Sequence, residues 1–156
     1  MDGLIRVGVI SDTHGLLRPS ALGALRGVDH IVHAGDIGSQ EVLSALQKLA
    51  KVTAIRGNTD TGAWACGLPK TETIELGGVH LYIIHNAYDL DLDTGAAGIA
   101  AVISGHSHQP AIEVKEGMLF FNPGSAGPRR FHLPIALGFL SIQRESVSGT
   151  IKLLEP

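Results

Sequence analysis

Residues 4–14 read LIRVGVISDTH, an apolar run that ends on Asp12, Thr13 and His14. Continuous apolar stretches rich in Val and Ile are the pattern of strands buried on both faces, and the spacing predicts a strand over residues 3–11. The same arrangement returns four times: HIVHAG before Asp36, VTAIRG before Asn58, HLYII before His85, and AAVISG before His106, Ser107 and His108. In open α/β sheets the ligand site lies beyond the carboxyl ends of the strands. Five segments are therefore expected to deliver oxygen and nitrogen donors to one edge of one sheet.

Working outward, strands are predicted at 29–34 and 51–56, with a short helix from Ser20 to Arg26 behind Pro19. A second helix is predicted from Gln40 to Ala50, with Ser39 as N-cap and Val42, Leu43, Leu46 and Leu49 at helical spacing. This βαβαβ order implies a parallel sheet with right-handed crossovers. Residues 59–69 read as loop, with Trp64 as an anchor. Gly77-Gly78 divides two strand-like runs, 71–76 and 79–85, as a hairpin turn does. A weak helix is expected over Leu90–Ala100, then a strand at 100–104. From Ala111 onward, short strands at 111–115, 118–121, 135–142 and 149–154 look antiparallel. The expected fold class is α/β, with two sheets packed face to face and helices outside.

At 156 residues the chain has the size of a single domain, 1–156, and buries enough surface to stand without disulfides. A net charge of -3 and the absence of a Lys/Arg cluster argue against nucleic-acid affinity. They do not exclude a phosphate substrate, because bound cations reverse the local field. The single cysteine, Cys66, reads as a small buried hydrophobe and cannot form an internal disulfide. With the N-terminal run leading straight into Asp12, this favours a cytoplasmic location. No apolar run approaches the length of a membrane span.

Taken singly, each polar motif has an ordinary explanation. Asp12 can cap a turn, Gly35-Asp36 and Gly57-Asn58 are common turn dipeptides, and His85 can be a satisfied core histidine. In extended segments Asp12 and His14 share one side, as do His106 and His108. Clustered at one edge without a partner, these groups would cost several kcal/mol per charge, and a cation removes that cost. Seven donors exceed one tetrahedral zinc. A two-metal centre needs a bridging carboxylate, and Asp36 fits because it comes from a middle strand. Imidazole and carboxylate without thiolate suit Mn, Fe, Ni or Zn, with manganese first.

The ordered set Asp12-Thr13-His14, Gly35-Asp36, Gly57-Asn58, His85 and Gly105-His106-Ser107-His108 resembles the calcineurin-like metallophosphoesterase superfamily. The later Asn122-Pro123-Gly124-Ser125 is similar to a motif of its small phosphodiesterase branch. The resemblance implies a four-layer αββα sandwich and a dinuclear centre. Asp12, His14, Asp36 and His108 would hold one metal, and Asp36, Asn58, His85 and His106 the other. It further implies hydrolysis of a small phosphate ester by a metal-bridging hydroxide held by Asp36, with Asn58 as a substrate contact. Where larger members carry His, this chain has Thr59, followed by Asp60; threonine is a poor general acid, which tilts the expectation toward diesters. His33 is either support for the site or packing. Arg129 and Arg130 read as solvated loop residues, and a homo-oligomer is compatible with the sequence. The competing expectation is a non-catalytic protein-binding scaffold similar to the retromer subunit of this fold, whose metal site is impaired. Here every ligand position holds a competent donor.

Overall fold

The computed structural model describes residues 3–91, 93 and 97–156. Among the described residues ten strands form two five-stranded sheets. They are β1 (Ile5–Ile10), β2 (His30–His33), β3 (Lys51–Ala54), β4 (Thr71–Leu76), β5 (Val79–Ile84), β6 (Ile99–Ile103), β7 (Ala111–Lys115), β8 (Met118–Asn122), β9 (Ala136–Gln143) and β10 (Ser146–Leu153). The first sheet runs β10-β9-β1-β2-β3 and the second β4-β5-β6-β8-β7.

Side-chain alternation explains the layering. In β1, Val7 and Val9 face the second sheet, where they meet Leu81, Ile83, Ile103 and Phe121. Ile10 joins Ile31 on the opposite face, under Ala21 of α1 (Pro19–Ala24), its C-cap Leu25, and Val42, Leu43 and Leu46 of α2 (Gln40–Gln47). Gly8 also points to that side, and a Cβ there would collide with Leu25, so the bare backbone lets α1 settle onto the strand. Ser39 occupies the N-cap position of α2, but its side chain makes no capping hydrogen bond. The helix closes at Gln47 instead of Ala50, because the amides of Lys48 and Leu49 reach back three residues in a tighter turn.

Both sheets are mixed, which corrects the division into a parallel and an antiparallel half. β1, β2 and β3 are parallel, as expected, but β9 and β10 return to this sheet antiparallel. In the second sheet β5, β6 and β8 are parallel, flanked by antiparallel β4 and β7. The hairpin between β7 and β8 gives the local antiparallel signal that hides the parallel β6–β8 pairing. The helix expected over Leu90–Ala100 does not extend into 97–100, where Ala97-Gly98 is a turn and Ile99 and Ala100 open β6; residues 92 and 94–96 lie outside the described residues. Cys66 is exposed, not buried: in the 3-10 turn Ala63–Ala65, Ala65 is buried while Cys66 caps the end facing outward. Among the described residues no helix is long and apolar enough to cross a membrane.

Registers place the site. Ile10, His33 and Ala54 are level across the first sheet, and Ile83, Ile103 and Phe121 across the second. The loops after β1, β2, β5, β6 and β8 therefore leave the sandwich at one end.

Candidate metal centre

The donors come from both sheets, not from one edge of one sheet. Asp12, His14 and Asp36 follow β1 and β2, whereas His85, His106 and His108 follow β5 and β6. They form two groups, Asp12–His14–His108 and Asp36–His85–His106, in each of which one ligand atom per residue lies within 4.8 Å of the others. His106 and His108 thus part company, instead of sharing one face.

The reason is backbone conformation. Asp12, His14, Asp36, His106 and His108 all have positive φ, from 46° to 72°, so these segments are not extended. Each such residue costs on the order of 1 kcal/mol, least for Asp and His. Neighbouring loops impose it. Asp12, His14 and Gly15 donate their amides to the carbonyls of Gly35, Asp36 and Ile37 at 3.0, 2.9 and 2.8 Å, and Gly105 donates to His85 at 2.9 Å. Contact leaves no room for side chains between them: a Cβ at Gly105 would overlap Ser11 Oγ and approach Asp12 Oδ2 to 2.8 Å.

Each aspartate has one oxygen fixed and one aimed. Asp12 Oδ2 accepts from Ser11 Oγ at 2.8 Å and from the His106 amide at 3.1 Å. Its Oδ1 stands 3.4 Å from His108 Nε2 and 3.9 Å from His85 Nε2. Asp36 Oδ1 accepts from the amide and the hydroxyl of Thr59 at 3.0 and 2.9 Å. Its Oδ2 stands 3.2 Å from His85 Nε2 and 3.8 Å from His14 Nε2, so it faces both groups. His85 Nδ1–H donates to the Ala34 carbonyl at 2.7 Å, which turns Nε2 toward the carboxylates, 3.3 Å from His106 Nδ1.

Burial pushes the Asp12 carboxyl above its ordinary value, only partly offset by Ser11 and the nearby imidazoles. Burial would raise Asp36 too, but hydrogen bonds from His85 and Thr59 outweigh it and hold this carboxylate well below the usual range. For His85, burial is outweighed by Asp36 and the Ala34 carbonyl, so its pKa rises. His108 is lowered by burial, which the Asp12 carboxylate opposes and Arg130 and His14 reinforce. Asp12 Oδ1 and His14 Nε2 are buried with no hydrogen-bond partner among the described residues. Two orphaned donors of this kind, in a carboxylate and imidazole cluster, fit a cation.

Asn58 is exposed and lines the same cleft as His85 and His106. Four supporting residues were not legible as such. Asp60, buried, accepts from the amides of Ile37, Gly38 and Gly57 at 3.1, 3.0 and 3.0 Å, tying the loop after β2 to the loop after β3. Thr59 orients Asp36 through its amide and its hydroxyl. Asn122 Nδ2 donates to the Gly105 carbonyl at 3.0 Å and Ser125 Oγ to the Asp12 carbonyl at 3.1 Å, so the Asn-Pro-Gly-Ser turn braces two donor loops. A carboxylate three residues after Gly57, next to bare amides, was the available signal for Asp60. Arg129 is engaged within its own loop, with Nε on the Leu133 carbonyl at 3.2 Å.

His33 is support, not ligand. The Gly35 amide donates to its Nδ1 at 3.1 Å, so Nε2 carries the proton and donates to Thr13 Oγ1 at 3.0 Å, whose hydroxyl donates to the Ile37 carbonyl at 2.7 Å. Complete burial pushes this imidazole down to about 3. A pKa lowered on folding removes stability as the pH falls below the unfolded value of about 6.5, down to the folded one. From pH 7 to pH 5 His33 is expected to cost about 2 kcal/mol. Urea unfolding of wild type and His33→Gln at both pH values checks it. A wild-type stability drop no larger than the variant's would refute this role. The remaining histidines lie apart: His30 is buried against Thr53 Oγ1 at 2.7 Å, and His80 and His132 are exposed.

Fold and site together define a two-sheet scaffold that gathers two clusters of metal-ligating side chains at one end. Residues 5–145 match the calcineurin-like phosphoesterase superfamily domain, and the chain belongs to this metal-dependent family. It is 36% identical over 157 residues to a probable metallophosphoesterase of Methanothermobacter thermautotrophicus, covering 93% of this chain and 90% of that protein. It is 25% identical over 139 residues to a phosphodiesterase of Methanocaldococcus jannaschii, covering 77% of this chain and 83% of that one. Among solved structures, Vacuolar Protein Sorting 29 from Cryptosporidium parvum superposes with a TM-score of 0.79 at 16% identity, covering 99% of this chain and 100% of the other. That likeness concerns the fold.

Proposed function

We propose that this metallophosphoesterase-family chain is a phosphodiesterase with a dinuclear centre. Asp12, His14, Asp36 and His108 would hold one divalent transition metal, and Asp36, Asn58, His85 and His106 the other, with manganese favoured over nickel, iron or zinc. The observation that carries this reading is the paired geometry: each aspartate keeps one oxygen hydrogen-bonded and turns the other toward imidazoles. When bound, two such cations polarise the phosphoryl oxygens and lower the pKa of water. The chain's own contribution is orientation. Thr59 sets the plane of Asp36, the Ala34 carbonyl sets the tautomer of His85, and Asn58 lies on the cleft wall where an ester would enter.

The non-catalytic scaffold reading draws on the likeness to Vacuolar Protein Sorting 29. Against it stand two donor groups, each of one carboxylate and two imidazoles. The deciding experiment compares hydrolysis of bis(p-nitrophenyl) phosphate and p-nitrophenyl phosphate with Mn, Ni, Zn and Mg. Faster diester turnover with manganese is expected. No hydrolysis of either ester with any metal would favour the scaffold, and faster monoester turnover would remove the diester preference.

A further inference from the structure

Beside the Asp36–His85–His106 group the end of the sandwich opens into a cleft of about 630 Å³. That is the size of a site for a whole organic molecule, well beyond what one phosphoryl group fills. Two cations line it, Arg56 from the loop after β3 and Lys70 just before β4. The Arg56 amide donates to the Pro69 carbonyl at 2.8 Å, which holds the two segments side by side.

Neither cation is ion-paired among the described residues. Arg56 Nε is buried with no hydrogen-bond partner there. Asp60, the acidic group nearest in sequence, is engaged by three backbone amides and makes no ion pair with Arg56 among the described residues. Asp89, exposed at the rim of the cleft, makes no ion pair with either. A guanidinium with an unused, desolvated donor, in a cleft that an ammonium also lines, is a receptor for an anion with several acceptor oxygens.

We infer that this cleft is an anion subsite, in which Arg56 and Lys70 hold a second anionic group carried by the phosphate ester bound at the metal centre. The inference deepens the phosphodiesterase reading and rests on it for the ligand's first phosphate. It narrows the substrate class to esters whose organic part bears a further phosphate or carboxylate.

The test measures binding, not turnover. Calorimetry on manganese-loaded protein compares butyl phosphate with butane-1,4-diol bisphosphate, which differ by one phosphate. Wild type is expected to bind the bisphosphate at least about tenfold more tightly, and Arg56→Gln and Lys70→Gln each to reduce that ratio severalfold. Lys115→Gln, on the far edge strand β7, should keep the wild-type ratio. Lys70 is exposed, so its variant decides the matter if Arg56→Gln fails to fold. A third ligand, 4-phosphonooxybutanoate, shows whether carboxylate or phosphate gains more. A wild-type ratio near one, or one that both glutamine variants leave unchanged, overturns the subsite. Absence of diester hydrolysis with every metal would instead overturn the reading it rests on.

Discussion

Asp36→Asn should lower diester turnover by about a thousandfold, equivalent to roughly 4 kcal/mol of barrier, and should reduce metal content at both groups together. Its Oδ2 stands 3.2 Å from His85 in one group and 3.8 Å from His14 in the other. The amide keeps shape and volume. If the side-chain oxygen stays on Thr59, the NH₂ group faces His85 and His14, which puts a donor where a cation needs an acceptor. If it flips, Thr59 loses its acceptor. Either way one function is lost. Metal analysis beside steady-state kinetics checks the result, and a variant with two metals and a near-normal rate would show that the bridge lies elsewhere.

Removing the metals should abolish hydrolysis and lower the melting temperature by about 10 °C. A ligand present at a thousand times its dissociation constant stabilises by roughly 4 kcal/mol, and each kcal/mol moves the midpoint of a chain this size by about 2–4 °C. The structural ground is the pair of orphaned atoms, Asp12 Oδ1 and His14 Nε2, whose desolvation only a cation would offset. Calorimetric melts before and after chelation, then with manganese restored, decide it. A chelated sample that melts at the same temperature and keeps full activity would remove the centre.

How much of this was visible in the sequence differs from residue to residue. The donors could be identified because chemistry requires particular residue types after particular strands, and order along the chain survives folding. The first three parallel strands could be read because helices separate them. What stayed hidden depends on contacts between distant segments. Nothing local tells that Asp12 and His14 adopt left-handed backbone, since carbonyls of residues 35 and 36 impose it. The pairing of β8 beside β6 is masked by its hairpin with β7. Asp60 reads as a loop residue until the amides of Ile37 and Gly38, more than twenty positions away, are seen to end on it.

The two donor groups each take members from both sheets: Asp12 and His14 with His108, and Asp36 with His85 and His106. A cation in either would act as a rivet through two plates. Sliding one plate over the other by a fraction of an ångström would spoil both coordination shells at once. Affinity for metal is thereby coupled to how well Val9, Val32, Ile83 and Ile103 mesh in the seam between the sheets. Trimming a methyl group there, remote from any donor atom, would register as a weaker grip on the ions.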